Sequence, residues 1–188
     1  MCIRDSIDYN KTAPDTVPVI FQPPADLTAD GLELWIAAKG KADGWGGCTV
    51  YVSDDNTNYR TVGQIAGSAR CGKLINNITK DSTDIIVSCN DQLLSGTPQD
   101  AERKNTLCWI GGECLSYVTA TLLSTGNYKL SGCIRGQYNT TPAAHSAGAD
   151  FVRLDNAVLH LDFTKDDIGK KIYIKFCSYN IFVAGQQL

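Results

Sequence analysis

"LCWIGGECLSYVTATLLSTGNYKLSGCIRGQYN", residues 107–139, decides the fold class. Short apolar runs alternate with turns carrying Gly111-Gly112 and Thr125-Gly126-Asn127, and nothing here repeats at helical spacing. The stretch predicts a three-stranded β meander. With a two-residue loop at Gly111-Gly112, Trp109 faces Cys114 and Cys108 points to the other face, so the two thiols do not bridge; a three-residue loop would let them.

The rest of the chain has the same punctuation. Residues 7–30 are rich in proline and Asx, with Val19-Ile20-Phe21 as a short strand ended by Pro23-Pro24. "LELWIAAKG" reads as alternating apolar and other residues. "CTVYVS" and "YRTVGQI" read as a hairpin across "DDNTN", with Val50 and Val52 on one face and Thr49, Tyr51 and Ser53 on the other. "SGTPQDAERKNT" offers a proline at a helix N1 position and enough residues for one helical turn. "DIIVSC", "DFVRL", "AVLHLDF" and "KKIYIKFCSYNIF" are strand-like. The expectation is an all-β protein.

Bulk properties narrow the function. A net charge of −3 with scattered lysines and arginines gives no basic surface for nucleic acid. No apolar stretch approaches the ~18 residues of a membrane span. The opening "MCIRDS" has no apolar core of a secretory signal after it, resembles the non-native leader of translated sequence-read fragments, and is set aside from fold reasoning. The chain is expected to be a piece of something longer. Its eight cysteines form no C-x-x-C, so the zinc templates fail, and most sit in apolar runs as small reduced hydrophobes.

Candidate chemistry is sparse. His145, in "PAAHSAG", has no serine in a nucleophile elbow nearby and reads as a loop imidazole bonded to local backbone; His160 reads as a strand residue. The three glutamates, Glu33, Glu102 and Glu113, and the turn aspartates form no pair suited to glycoside hydrolysis. Asp54, Asn56 and Asn58 mimic the start of a calcium loop, but Tyr59 replaces its glycine and Ile65 its glutamate, so a hairpin turn is expected. The sequons at Asn77 and Asn139 matter only in a secreted eukaryotic protein. Trp45, in the loop-like "DGWGG", is the side chain best suited to binding, whereas Trp35 and Trp109 read as core. No cofactor or metal is implied.

Two resemblances organise these observations. "IGKKIYIKFCSYNIFVAG" resembles the penultimate strand of a fibronectin type III domain, through Tyr173, Phe176, Asn180 and Gly185. This implies a leader and lead-in at 1–13, a discontinuous fibronectin-like sandwich at 14–66 plus 155–188, and an inserted β domain at 67–154. The last sandwich strand would then lie beyond Leu188, leaving an exposed edge.

Residues 66–160 resemble the tail-tip and baseplate-hub proteins of long-tailed phages, the host-specificity (J-type) and gene transfer agent baseplate families. The resemblance rests on Arg70, Gly72 and Leu74; Gly111, Gly112 and Glu113; Tyr128, Leu130, Gly132, Arg135 and Gly136; and Thr140, His145, Gly148 and Phe151. Gln137-Tyr138-Asn139 stands where the family commonly has arginine and glycine; asparagine tolerates a left-handed turn, so the turn survives. Arg135 is expected to brace its loop through backbone carbonyls.

The resemblance implies a non-enzymatic structural component of the virion tail tip, made in the bacterial cytoplasm and contributing to tail assembly, host recognition and entry. Its partners would be other tail-tip proteins, further copies of itself and a host surface receptor. The alternative is a glycan-binding or adhesin-type β-sandwich using Trp45.

Overall fold

In the computed structural model, which describes residues 12–181, the proline-rich lead-in becomes a full strand, β1 (Thr16–Phe21). Pro18 lies within it, which an edge strand tolerates because one side of its backbone needs no ladder donor. Gly185 and the leader lie outside the described residues. β2 (Glu33–Gly40), β3 (Trp45–Ser53) and β4 (Arg60–Ala66) follow. The chain then passes through β5 (Cys71–Lys73), β6 (Ile85–Ser88) and the single helical turn α1 (Pro98–Glu102). Pro98 takes the predicted N1 position, and Thr97 and Asp100 form a capping box.

β7 (Cys108–Ile110), β8 (Glu113–Ser116), β9 (Thr119–Ser124), β10 (Asn127–Ser131) and β11 (Ile134–Gln137) come from the opening stretch. β12 (Asp150–Arg153), β13 (Leu159–Asp162) and β14 (Tyr173–Asn180) complete the chain. The protein is an all-β sandwich built from antiparallel sheets.

The expected three-stranded meander is five strands in two sheets. Its second and third arms each break and change sheet, giving one sheet ordered β11-β8-β7-β12-β5 and another ordered β6-β10-β9. The break sits at Val118 and Gly132, where the Val118 amide donates to Ser131. Gly132 has φ +66°, and a Cβ there would lie 2.8 Å from the Val118 side chain. Such corners let one pair of strands line two sheets. At the Gly-Gly turn, Trp109 pairs with Cys114 and Cys108 with Leu115, the two-residue register.

The other strands form two facing three-stranded sheets, β1-β2-β13 and β14-β3-β4. The chain thus leaves after β4 and returns at β13, and β5 to β12 lie between. Three apolar clusters hold these layers. Ile36, Ala38, Trp45, Cys48, Val50 and Ile65 fill the space between the two three-stranded sheets. Phe21, Trp35 and Ala37, on the opposite face of the first sheet, pack with Cys71, Val152 and Trp109 of the five-stranded sheet. The third cluster, with Leu74, Ile85, Leu115, Leu130 and Phe151, fills the region from β5 to β12.

Trp35 to Ala38 are therefore all buried, and the alternation expected for "LELWIAAKG" is absent. A central strand covered on both faces reads as a continuous apolar run.

Candidate functional site: a buried charge clasp

The β7–β8 hairpin sets the site. Gly111 and Gly112 have φ +54° and +99°, the left-handed pair that a two-residue hairpin loop requires. Gly111 also makes room: a Cβ there would sit 2.9 Å from Nδ1 of His145. The turn delivers Glu113 to the start of β8 with 1% of its surface exposed.

Around this carboxylate converge two stretches of one later loop, Arg135-Gly136 and Ala143–His145, 22 to 32 residues further along the chain. Arg135, on β11, donates from Nε to Oε1 and from Nη2 to Oε2, both at 2.6 Å. His145 Nε2 lies 2.9 Å from Oε2. An ionised carboxylate only accepts, so Nε2 carries the proton. The amides of Gly136 and Ala143 donate to Oε1 and Oε2 at 3.2 and 3.1 Å.

Arg135 is saturated in turn. Nη1 donates to the carbonyls of Thr79 and Ser82, and Nη2 to that of Ala143. His145 and Ile78 exchange both backbone hydrogen bonds, tying loop 138–149 to segment 75–84. Only 7% of the Arg135 side chain and 9% of that of His145 are exposed.

The electrostatics favour an ionised Glu113. Burial pushes its pKa up, but Arg135, His145 and the Ala143 amide together hold it below the ordinary 4.5. Because the folded value is depressed, the stabilisation is complete above the unfolded pKa and is lost as pH falls through the folded one. Urea midpoints should thus stay level from neutral pH to about 5 and fall below that. Glu113→Gln should remove its share of the fall, and an unchanged acid slope in that variant would contradict the assignment.

Four of the singled-out residues, Gly111, Arg135, Gly136 and His145, meet at this clasp. Gly136 (φ +68°) turns the chain so that its amide reaches the carboxylate. Gly112 lies at the hairpin tip. Arg70 and Gly72 lie elsewhere, on and beside β5. Arg70 donates to Asp155 at 2.6 Å and to the Gln92 carbonyl, while Gly72 lets β5 approach β6 so closely that a Cβ would lie 2.0 Å from the Ser88 oxygen. Glu113 carries the resemblance and is set aside as a catalytic carboxylate; its pairing with Arg135 is what sequence reasoning misses. The absence of a second carboxylate excluded hydrolysis but said nothing about an arginine partner.

Trp45 requires a correction. It lies in β3, not in a loop, and is 7% exposed, with its indole N–H donating to Thr16 Oγ1 and its ring over Gly40. A packed, hydrogen-bonded tryptophan presents no face to a ligand. His160 is a half-exposed β13 residue whose ring stacks on Trp35 at 4.0 Å. In the 54–59 turn, Asp55 accepts from Ser53, Thr57 and Asn58, which spends the carboxylate on the turn itself. Arg153, beside Arg70 in a cleft of about 220 Å³, donates to the carbonyls of Asn105, Leu107 and Leu154 and so braces that loop.

Among the described residues no three His, Cys, Asp or Glu are grouped to hold a metal ion, and no helix is long and apolar enough to cross a membrane. Cys48, Cys71, Cys89, Cys108, Cys114 and Cys133 are buried free thiols. Burial pushes Cys71 up to about 11 and Cys114 and Cys133 up to about 12. In native protein, alkylation read by mass spectrometry should therefore label half-buried Cys177 first among these described cysteines, and the six only on unfolding. Rapid native labelling of Cys114 would contradict this packing.

Residues 61–152 match the family model described as Rcc01698-like, C-terminal. The match covers β4 from its second residue through most of β12, and contains every residue of the clasp. No curated protein matches this chain.

Proposed function

We propose that this chain is a structural, non-enzymatic part of a phage tail tip, contributing to tail assembly, host recognition and entry. The observation carrying the reading is the Glu113 clasp. Several residues of the tail-tip-like pattern, Gly111, Glu113, Arg135, Gly136 and His145, converge there, and both Glu113 oxygens, the Arg135 guanidinium and His145 Nε2 are spent on one another and on backbone. A reacting group needs an unspent lone pair or proton beside open space. Here the chemistry-bearing residues are spent on shape.

The layered core fits the same role. Phe21 stacks on Trp109 with ring centroids 4.4 Å apart, which fastens the β5–β12 region to the β1-β2-β13 sheet. On this reading β1–β4 with β13 and β14 are a fibronectin-like module, and β5 to β12 are the inserted domain that docks on the hub. The module would carry further tail-tip elements, and the protein would act by holding them at fixed angles.

The test is to raise antibodies against residues 12–181 and apply them to particles from a culture carrying this sequence. Electron microscopy should show gold at the tail end distal to the capsid. Particles with tails and no label, from a culture that makes the protein, would overturn the proposal.

A further inference from the structure

The cleft of about 220 Å³ beside Arg70 and Arg153 keeps polar groups to spare. Arg153, the last residue of β12, donates from Nη1 to the Leu107 and Leu154 carbonyls and from Nη2 to that of Asn105. Those bonds use three of the five N–H donors of a guanidinium. Among the described residues no carboxylate lies within salt-bridge distance of Arg153, so its charge lacks a counter-ion. Arg70 lines the same cleft and is neutralised by Asp155. It spends Nε on the Gln92 carbonyl and Nη1 on Asp155, which leaves its Nη2 donors over.

Asp100 adds an acceptor to the cleft. Its Oδ2 accepts from the Thr97 amide and hydroxyl, and its Oδ1 from Asn105 Nδ2, three of about four acceptor sites. These bonds hold its pKa down to about 2, so the carboxylate is ionised with one Oδ1 site open. Leu94, 62% exposed, joins buried Leu93 and Tyr117 as an apolar wall beside the charges.

The unspent groups are therefore donors on two guanidiniums, one acceptor and an apolar flank. A complementary ligand has a carboxylate for Arg153, a hydroxyl for Asp100 and a C–H face for Leu94. The volume lies below the roughly 300–1,000 Å³ of sites for drug-sized ligands, so one small ring fills it. An inorganic anion would leave the leucine wall and Asp100 unmatched, and a neutral sugar would leave Arg153 without a counter-charge.

We propose that this cleft binds one carboxylate-bearing sugar residue, a uronic acid unit of an acidic host-surface polysaccharide. The carboxylate accepts from the unspent N–H groups of Arg153 and Arg70, and a ring hydroxyl donates to Asp100 Oδ1. The proposal deepens the host-recognition part of the reading above and rests on it for the source of the sugar. Its test uses the chain alone, so a failure here leaves the tail location to the gold-label experiment.

Titration of the full chain with sodium glucuronate, followed by amide, arginine and methyl NMR, tests it. Leu93, Leu94 and the Arg153 side chain should shift saturably, with a Kd of about millimolar for so small a ligand. Glucose and acetate each carry half of the recognised chemistry and should bind about tenfold more weakly. Arg153→Gln should weaken glucuronate by about tenfold or more. Because Arg153 also braces three carbonyls, Leu94 provides a second test on an exposed side chain. Leu94→Glu places a carboxylate at the mouth and should weaken glucuronate about threefold, whereas Leu94→Lys should not. No saturable shift at these residues, glucose or acetate as tight as glucuronate, an unchanged affinity in folded Arg153→Gln, or equal affinities in the two Leu94 variants would each overturn the proposal.

Discussion

Glu113→Ala is expected to destabilise the protein by about 3–5 kcal/mol, because it leaves the Arg135 guanidinium buried without its counter-charge. The cost does not measure the attraction alone. Two amides and His145 also lose their acceptor, and each unmet donor adds to the loss. Urea unfolding at neutral pH reads the change as a lower midpoint at similar slope.

A double replacement separates the terms. Glu113→Leu with Arg135→Met removes both charges, and burying apolar groups in place of a buried ion pair is often neutral. Recovery should be partial here, because Arg135 also caps the Thr79, Ser82 and Ala143 carbonyls. A single Glu113→Ala variant as stable as the parent would remove the clasp from the account.

Phe21→Ala should cost about 3–5 kcal/mol, the range for emptying a buried aromatic site. Phe21 is buried, stacked on Trp109 and edge-on to Trp35 at 6.1 Å. Its loss thins the layer that joins the β1-β2-β13 sheet to the five-stranded sheet. Calorimetry should therefore show more than a lower melting temperature. A single cooperative transition should broaden or split as the two strand groups uncouple. A variant that melts as one sharp transition with little loss would mean that the groups are joined elsewhere.

The strands were legible because their turns carry local signals. Gly111-Gly112, Thr125-Gly126-Asn127 and Thr97-Pro98 specify backbone conformations that few other residues allow, and all three appear where expected. The change of sheet at Val118 and Gly132 was not legible. A strand that bends between two sheets has the same alternation as one that runs straight, and only packing decides. Trp45 misled for a related reason. The glycines around it serve close packing, with Gly47 lying under Tyr179 and Gly46 against the Asn180 backbone, and give no exposed loop.

Arg135 has the form of a loop brace, with bonds to three backbone carbonyls. Its main partner was hidden. Glu113 is 22 residues away and the contact forms only once β8 and β11 pair. Sequence spacing carries no signal for such a long-range ion pair.

Amide hydrogen exchange across residues 132–151 tests the central claim most directly. If this loop is a rigid connection held by Glu113, the Gly136, Ala143 and His145 amides should exchange as slowly as those of β7 and β8, and faster in Glu113→Ala. If those amides exchange at once in the native protein while β7 and β8 stay protected, the loop is mobile. Its histidine and arginine would then be free for chemistry, and the scaffold reading would be contradicted.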